Sequence, residues 1–168
     1  MDNDFIFQIE EVAKYICKKY YEENKQDISE IKLQKCLYFL FAYWGGFVAK
    51  SENEEVEEKI NYSKYLFKAD FQAWVYGPVS SKIYFLRKNS SFNYDDLDVN
   101  EMFKDKNFVK ETIDSLLHDL FEISDFKLVS LSHNDKVWQD NFDVFSEYHN
   151  EEMKMDAIID EYAYREAV

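Results

Sequence analysis

A thiol, an imidazole and a carboxylate make a cysteine nucleophile, and Cys36, His133 and Asp135 could be drawn together in that role. An active thiol must ionise, which takes an electropositive and partly exposed setting. Cys36 sits instead in the run IKLQKCLYFLFAYW, where a thiol is inert packing. Cys17 also falls among apolar-periodic residues, and two cysteines are too few for a disulfide framework, so both read as reduced thiols of a cytosolic protein. His118, His133 and His149 are too widely spaced for a metal signature. His133, in a turn, reads as a hydrogen-bonded structural residue. The chain has no phosphate-cradling glycine loop, no G-x-S-x-G, no H-E-x-x-H and no C-x-x-C pair. Carboxylates abound, but an acidic surface pairs acids by chance. The expectation is a chain with no catalysis, no metal and no cofactor.

Charge is the stronger signal. Asp and Glu number 34 against 20 Lys and Arg, for a net charge of −14. A phosphate-binding face needs the opposite excess, so direct nucleic-acid binding is disfavoured and a basic protein partner is favoured. The acids concentrate in SENEEVEEKINY at 51–62. There Glu52, Glu54, Glu55, Glu57 and Glu58 form either a solvated loop or short helix, or an acidic docking patch. No uncharged run reaches the roughly 18 residues of a membrane span. The opening MDNDFIFQIEEVAKYI lacks the basic and apolar regions of a signal peptide, so a soluble, cytoplasmic protein is expected.

Any site must be positioned by a core, and 168 residues at 46% hydrophobic suit one domain over 1–168. Residues 5–21 carry Ile6, Ile9, Val12, Ala13, Ile16 and Tyr20 at helical spacing. Ser29 is placed to cap a second helix, 30–44, which reads as central and mostly buried, with Lys32 and Lys35 marking its solvent side. Gly45-Gly46 is expected to end it. Residues 65–79, YLFKADFQAWVYGPV, read as extended, with Gly77 turning the chain at a positive φ. Pro78 then suits the first position of a helix over about 78–88, facing inward with Val79, Ile83, Phe85 and Leu86. After the polar loop NSSFNYDDLDVNEM come a strong helix over 106–123 and a short one, DFKLVSLSH, capped by Ser124. A last helix places Met155, Ile158, Ile159 and Tyr162 on one face. The class is therefore mostly α: a compact helical domain with a short extended or β-like segment before the Gly-Pro turn.

Three local patterns remain. They are Lys32-Leu33-Gln34-Lys35-Cys36-Leu37-Tyr38-Phe39, then Ala73-Trp74-Val75-Tyr76-Gly77-Pro78-Val79 with Tyr84 following, and Leu131-Ser132-His133 with Trp138. In order and spacing they resemble the Panacea domain, a phage-associated family known from antitoxins of the SocA type, over roughly residues 8–163. The family pattern has K-L-Q-K-L-L-Y-F, A-W-x-Y-G-P-V and L-(S/T)-H…W. This chain departs from it in a longer acidic stretch and in Trp44-Gly45-Gly46 after the central aromatics.

The resemblance implies a mostly helical antitoxin that neutralises a toxin by direct binding, with delivery of the toxin to a protease as a further step in some members. It also implies that the Trp-x-Tyr-Gly-Pro segment is a fold-defining corner with its aromatics buried against the central helix. The alternative role on the same fold is a phage-encoded, anti-CRISPR-like inhibitor of a defence nuclease, whose acidic face would compete with nucleic acid.

Overall fold

The structure, a computed structural model, describes residues 4–53, 59–143 and 151–165. Among them the chain forms eight α-helices and one two-stranded sheet, a mostly α fold. Helix α1 spans Ile9–Asn24, starting later than its apolar spacing predicts. Gln8 and Glu11 form a capping box that sets this start. Residues 5–7 lie outside the helix: Phe5 bridges to Tyr65, and the Ile6 and Phe7 amides donate to the carbonyls of Tyr65 and Leu66 at 3.1 and 2.9 Å.

Helix α2, Glu30–Asn53, is the axis of the molecule. Ser29 caps it, its Oγ accepting from the Lys32 amide at 3.0 Å. It packs against α1, α5 (Asn107–Phe121), α6 (Asp125–His133), α8 (Met155–Ala163) and the hairpin. Enclosed on so many sides, it buries Leu33, Cys36, Leu37, Leu40, Phe41 and Trp44 completely.

The glycine pair does not end α2, which runs through it for two further turns. A Cβ on Gly45 would lie 2.5 Å from Ile159 Cγ1, and one on Gly46 would lie 2.7 Å from Tyr162 Cβ. Both glycines are there to let α8 approach the backbone of α2. The helix therefore takes in the start of the acidic run, with Glu52 exposed near its end, while Glu54, Glu55, Glu57 and Glu58 lie outside the described residues.

Strands β1 (Phe71–Trp74) and β2 (Gly77–Ser80) form an antiparallel hairpin with Ala73 opposite Pro78. The proline thus belongs to a strand, not to the helix after it. Helix α3, Ser81–Lys88, begins three residues later because Ser80 Oγ caps it, accepting from the Ile83 amide at 3.3 Å. Phe85, expected to face inward, is half-exposed while Ile83 is buried.

The polar loop contains a 3₁₀ turn at Tyr94–Asp96 and helix α4, Val99–Met102. Ser124 caps α6 as its sequence predicts. The short helix α7, Lys136–Asn141, follows where only a polar turn is legible. Among the described residues no helix is long and apolar enough to cross a membrane.

Candidate functional site

The three sequence patterns meet at the hairpin corner. Strand β2 bonds to β1 along one edge and needs partners for the groups on its other edge. Helix α2 supplies them. Gln34 Oε1 accepts from the Ser80 amide at 2.8 Å, and its Nε2 donates back to the Ser80 carbonyl at 3.2 Å. Lys35 Nζ donates to the Pro78 carbonyl at 2.7 Å. Pro78 therefore points the place of its missing N–H along this outer edge, where no ladder bond is lost.

Gly77 is required on two counts. Its φ is 99°, and an added Cβ would run into Ser132 Oγ of α6 and lie 2.8 Å from Lys35 Cε.

Lys32 and Lys35 are thus not solvent markers, for they expose 9% and 1% of their surface. Lys32 Nζ donates to the Phe121 carbonyl at the end of α5, at 3.2 Å, where a cation complements the helix dipole. Burial pulls the Lys35 ammonium down to about 7, against an opposing pull from Glu30.

The third pattern holds the tip of the hairpin. His133 Nε2 lies 2.8 Å from the Val75 carbonyl, which can only accept, so this nitrogen carries the hydrogen. Trp138 Nε1 donates to the Trp74 carbonyl at 2.9 Å, and the Trp138 ring stacks on His133 with centroids 4.2 Å apart. His133 closes α6 rather than sitting in a turn.

The aromatics of the corner are less buried than the resemblance implies. Trp74 and Tyr84 are half-buried edge to face, with centroids 5.1 Å apart, and Tyr76 at the tip exposes 58% of its surface. The two-residue connection leaves Val75 and Tyr76 nothing to pack under. Together with Ile31 and Val79 these side chains line an open, apolar cavity of about 300 Å³.

Two acidic anchors hold roles that sequence reading misses: it does not single out Asp70, and it draws Asp135 only as a catalytic acid. Asp70 accepts from Ser80 Oγ at 2.6 Å and from the Lys82 amide at 3.0 Å, locking the entry to α3. Asp135, 1% exposed, accepts from Tyr38 and Tyr162 hydroxyls at 2.5 and 2.6 Å and from Arg165 at 2.7 Å. Burial, each other's proximity and this carboxylate hold the Tyr38 hydroxyl well above the usual tyrosine range. The Asp135 contacts join residues far apart in sequence, and the Asp70 contacts close only across the hairpin, so no helical or strand spacing announces them.

The drawn triad does not assemble. Asp135 and His133 are committed to the partners above, and Cys36 is fully buried, its thiol raised by desolvation. Burial likewise pushes the Cys17 thiol up to about 12. Among the described residues no group of histidine, cysteine, aspartate and glutamate is placed to hold a metal ion.

The model of the antitoxin SocA-like Panacea domain matches residues 54–139. The chain belongs to this family. The matched stretch holds the hairpin, Tyr84, Leu131–His133 and Trp138, whereas Lys32–Phe39 precedes it and joins the site through the bonds just described. No curated protein and no solved structure matches the chain. In this Panacea domain the corner joins three distant segments into one largely apolar surface, with its polar atoms turned to one another.

Proposed function

We propose that this chain is an antitoxin-like module that neutralises a protein toxin by direct, stoichiometric binding, without cofactor or chemistry of its own. Membership of the SocA-like Panacea family carries the reading. The corner supports it: the named polar groups beneath the hairpin are spent on structure, so the surface offers shape and apolar area rather than a reactive group. Exposed Val75 and Tyr76 beside the cavity are the kind of aromatic and aliphatic crest that anchors protein interfaces. The acidic surface fits a basic partner and would speed its encounter. Delivery of the toxin to a protease remains a separate step of the proposal, read out by toxin turnover. The match lends no support to the nuclease-inhibitor alternative.

Co-expression with a toxin-like protein encoded beside its gene, where one is found, tests the reading. We expect growth to be restored and a complex to co-purify. Tyr76→Asp, at a side chain that packs against little, is expected to weaken the complex at least tenfold while the melting temperature stays within a few degrees. Growth rescue with no complex detectable would overturn direct binding.

A further inference from the structure

Away from the corner, α2 and α5 leave a groove that no described residue fills. Tyr43 and Phe47 form one wall, a turn apart on α2, and Phe108, Thr112 and Leu116 follow at single-turn spacing on α5. The groove encloses about 490 Å³. Three large side chains there stay in water, Tyr43 at 42%, Phe47 at 50% and Phe108 at 45% exposed. Gathered apolar surface of this kind marks an interaction site. Thr112 adds no unmet polar atom to the floor, because its hydroxyl donates to the Phe108 carbonyl at 2.9 Å.

The shape selects a helix. Trp44 lies against Phe108 with ring centroids 6.2 Å apart, while Lys32 reaches the Phe121 carbonyl, so the two helices run antiparallel. A straight channel between such walls, with knobs one turn apart, accepts a third helix with apolar side chains at i, i+3/i+4 and i+7.

The rim selects the charge. Glu111 lines the groove, and Asp119 and Glu122 stand exposed further along α5. Among the described residues none of these three carboxylates has an ion-pair partner, whereas Asp114 on the same helix is met by Lys19 and Lys110. The lysines nearest on these helices are committed elsewhere: Lys110, next to Glu111, pairs with Asp114, Lys32 bonds the Phe121 carbonyl and pairs with Asp125, and Lys50 is already in a contact. The rim thus carries carboxylates that these lysines do not pair among the described residues, on a chain of net charge −14.

We propose that the α2–α5 groove docks a basic amphipathic helix of a partner protein. Its apolar stripe seats among Tyr43, Phe47 and Phe108, and its Lys or Arg side chains face Glu111 and Asp119. The proposal stands independently of the antitoxin reading, because it concerns a different surface.

Fluorescence anisotropy with a labelled 18-residue Leu/Lys amphipathic peptide tests it. The controls are the same composition scrambled to break the stripe, and a Leu/Glu peptide of the same pattern. We expect the Leu/Lys peptide to bind at least tenfold more tightly than the scrambled one, and the Leu/Glu peptide not to bind. Phe47→Ser and Glu111→Lys should each weaken binding tenfold or more with circular dichroism unchanged. Glu23→Lys, which removes the same charge from the exposed side of α1, should leave it within twofold. Equal binding of the scrambled peptide, or equal loss in Glu23→Lys, would reduce the effect to net charge and overturn the proposal. So would self-association in sedimentation velocity that Phe47→Ser abolishes, since a second copy would then fill the groove.

Discussion

Lys35 is an amine held where water cannot reach it, and its Nζ bonds a neutral carbonyl, that of Pro78. Folding therefore favours the neutral amine. Its folded value of about 7 lies below an unfolded value near ~10.4, so between these limits the unfolded chain binds the extra proton and stability rises with pH. The gradient is at most about 1.4 kcal/mol per pH unit. Above about 8.5 the cysteines act oppositely, because the unfolded thiols ionise there while burial holds Cys17 near 12. The window is thus pH 7 to 8.5. Urea unfolding across that window should show Lys35→Met losing the rise that the wild type retains. Equal slopes in both proteins would mean that Lys35 folds in its charged form. The sequence shows a lysine on an apolar helix, a pattern that usually marks the wet side. It hides the strand edge, forty residues away, whose carbonyl draws this lysine inward.

At the level of elements, the pair Gly45-Gly46 shows why a local signal can mislead. Glycine's backbone freedom reads as a helix stop, and in isolation that inference is sound. Here α8 lies across the pair, and the missing side chains are its footprint. Gly46→Ala would stabilise a free helix by about 1 kcal/mol. In this fold the new methyl would sit 2.7 Å from Tyr162 Cβ and 2.9 Å from the Tyr162 backbone carbon, so we expect a net loss of ~1–3 kcal/mol in thermal or urea melts. A more stable variant would show that α8 can shift aside freely. The Gly-Pro corner misleads in the same way. Proline's fixed φ suits a helix start, yet Gln34 and Lys35 claim the outer edge of β2 and keep Pro78 in a strand. By contrast Ser29, Ser124 and the periodicities of α5 and α6 are satisfied within a few residues, and there sequence and structure agree.

For the molecule as a whole, α2 is the wall against which α1, α5, α6, β2 and α8 all pack, and α8 closes its far side. Without α8, Gly45 and Gly46 would present bare backbone to water, Asp135 would lose Tyr162 and Arg165, and the Tyr38 hydroxyl would share a half-compensated carboxylate. A chain cut after Asp143 should therefore lose near-ultraviolet circular dichroism and melt without a cooperative transition. A sharp two-state melt of that fragment would show that α8 is a dispensable cover. The three patterns were legible as one family signature because their residue types recur in order. Their convergence was not, because each link joins segments that only the finished fold brings together.

The placement of α8 also governs when the protein comes into being. The helix at the centre leaves the ribosome early, but the element that completes its packing follows about a hundred residues later. At roughly 5–20 residues per second that is a delay of about 5–20 s, during which an aromatic-rich helix waits with one face uncovered. Competence is thus acquired late, once α8 has emerged. Until then the nascent chain leaves the α8 face of α2 bare, and it needs shelter from aggregation for that interval.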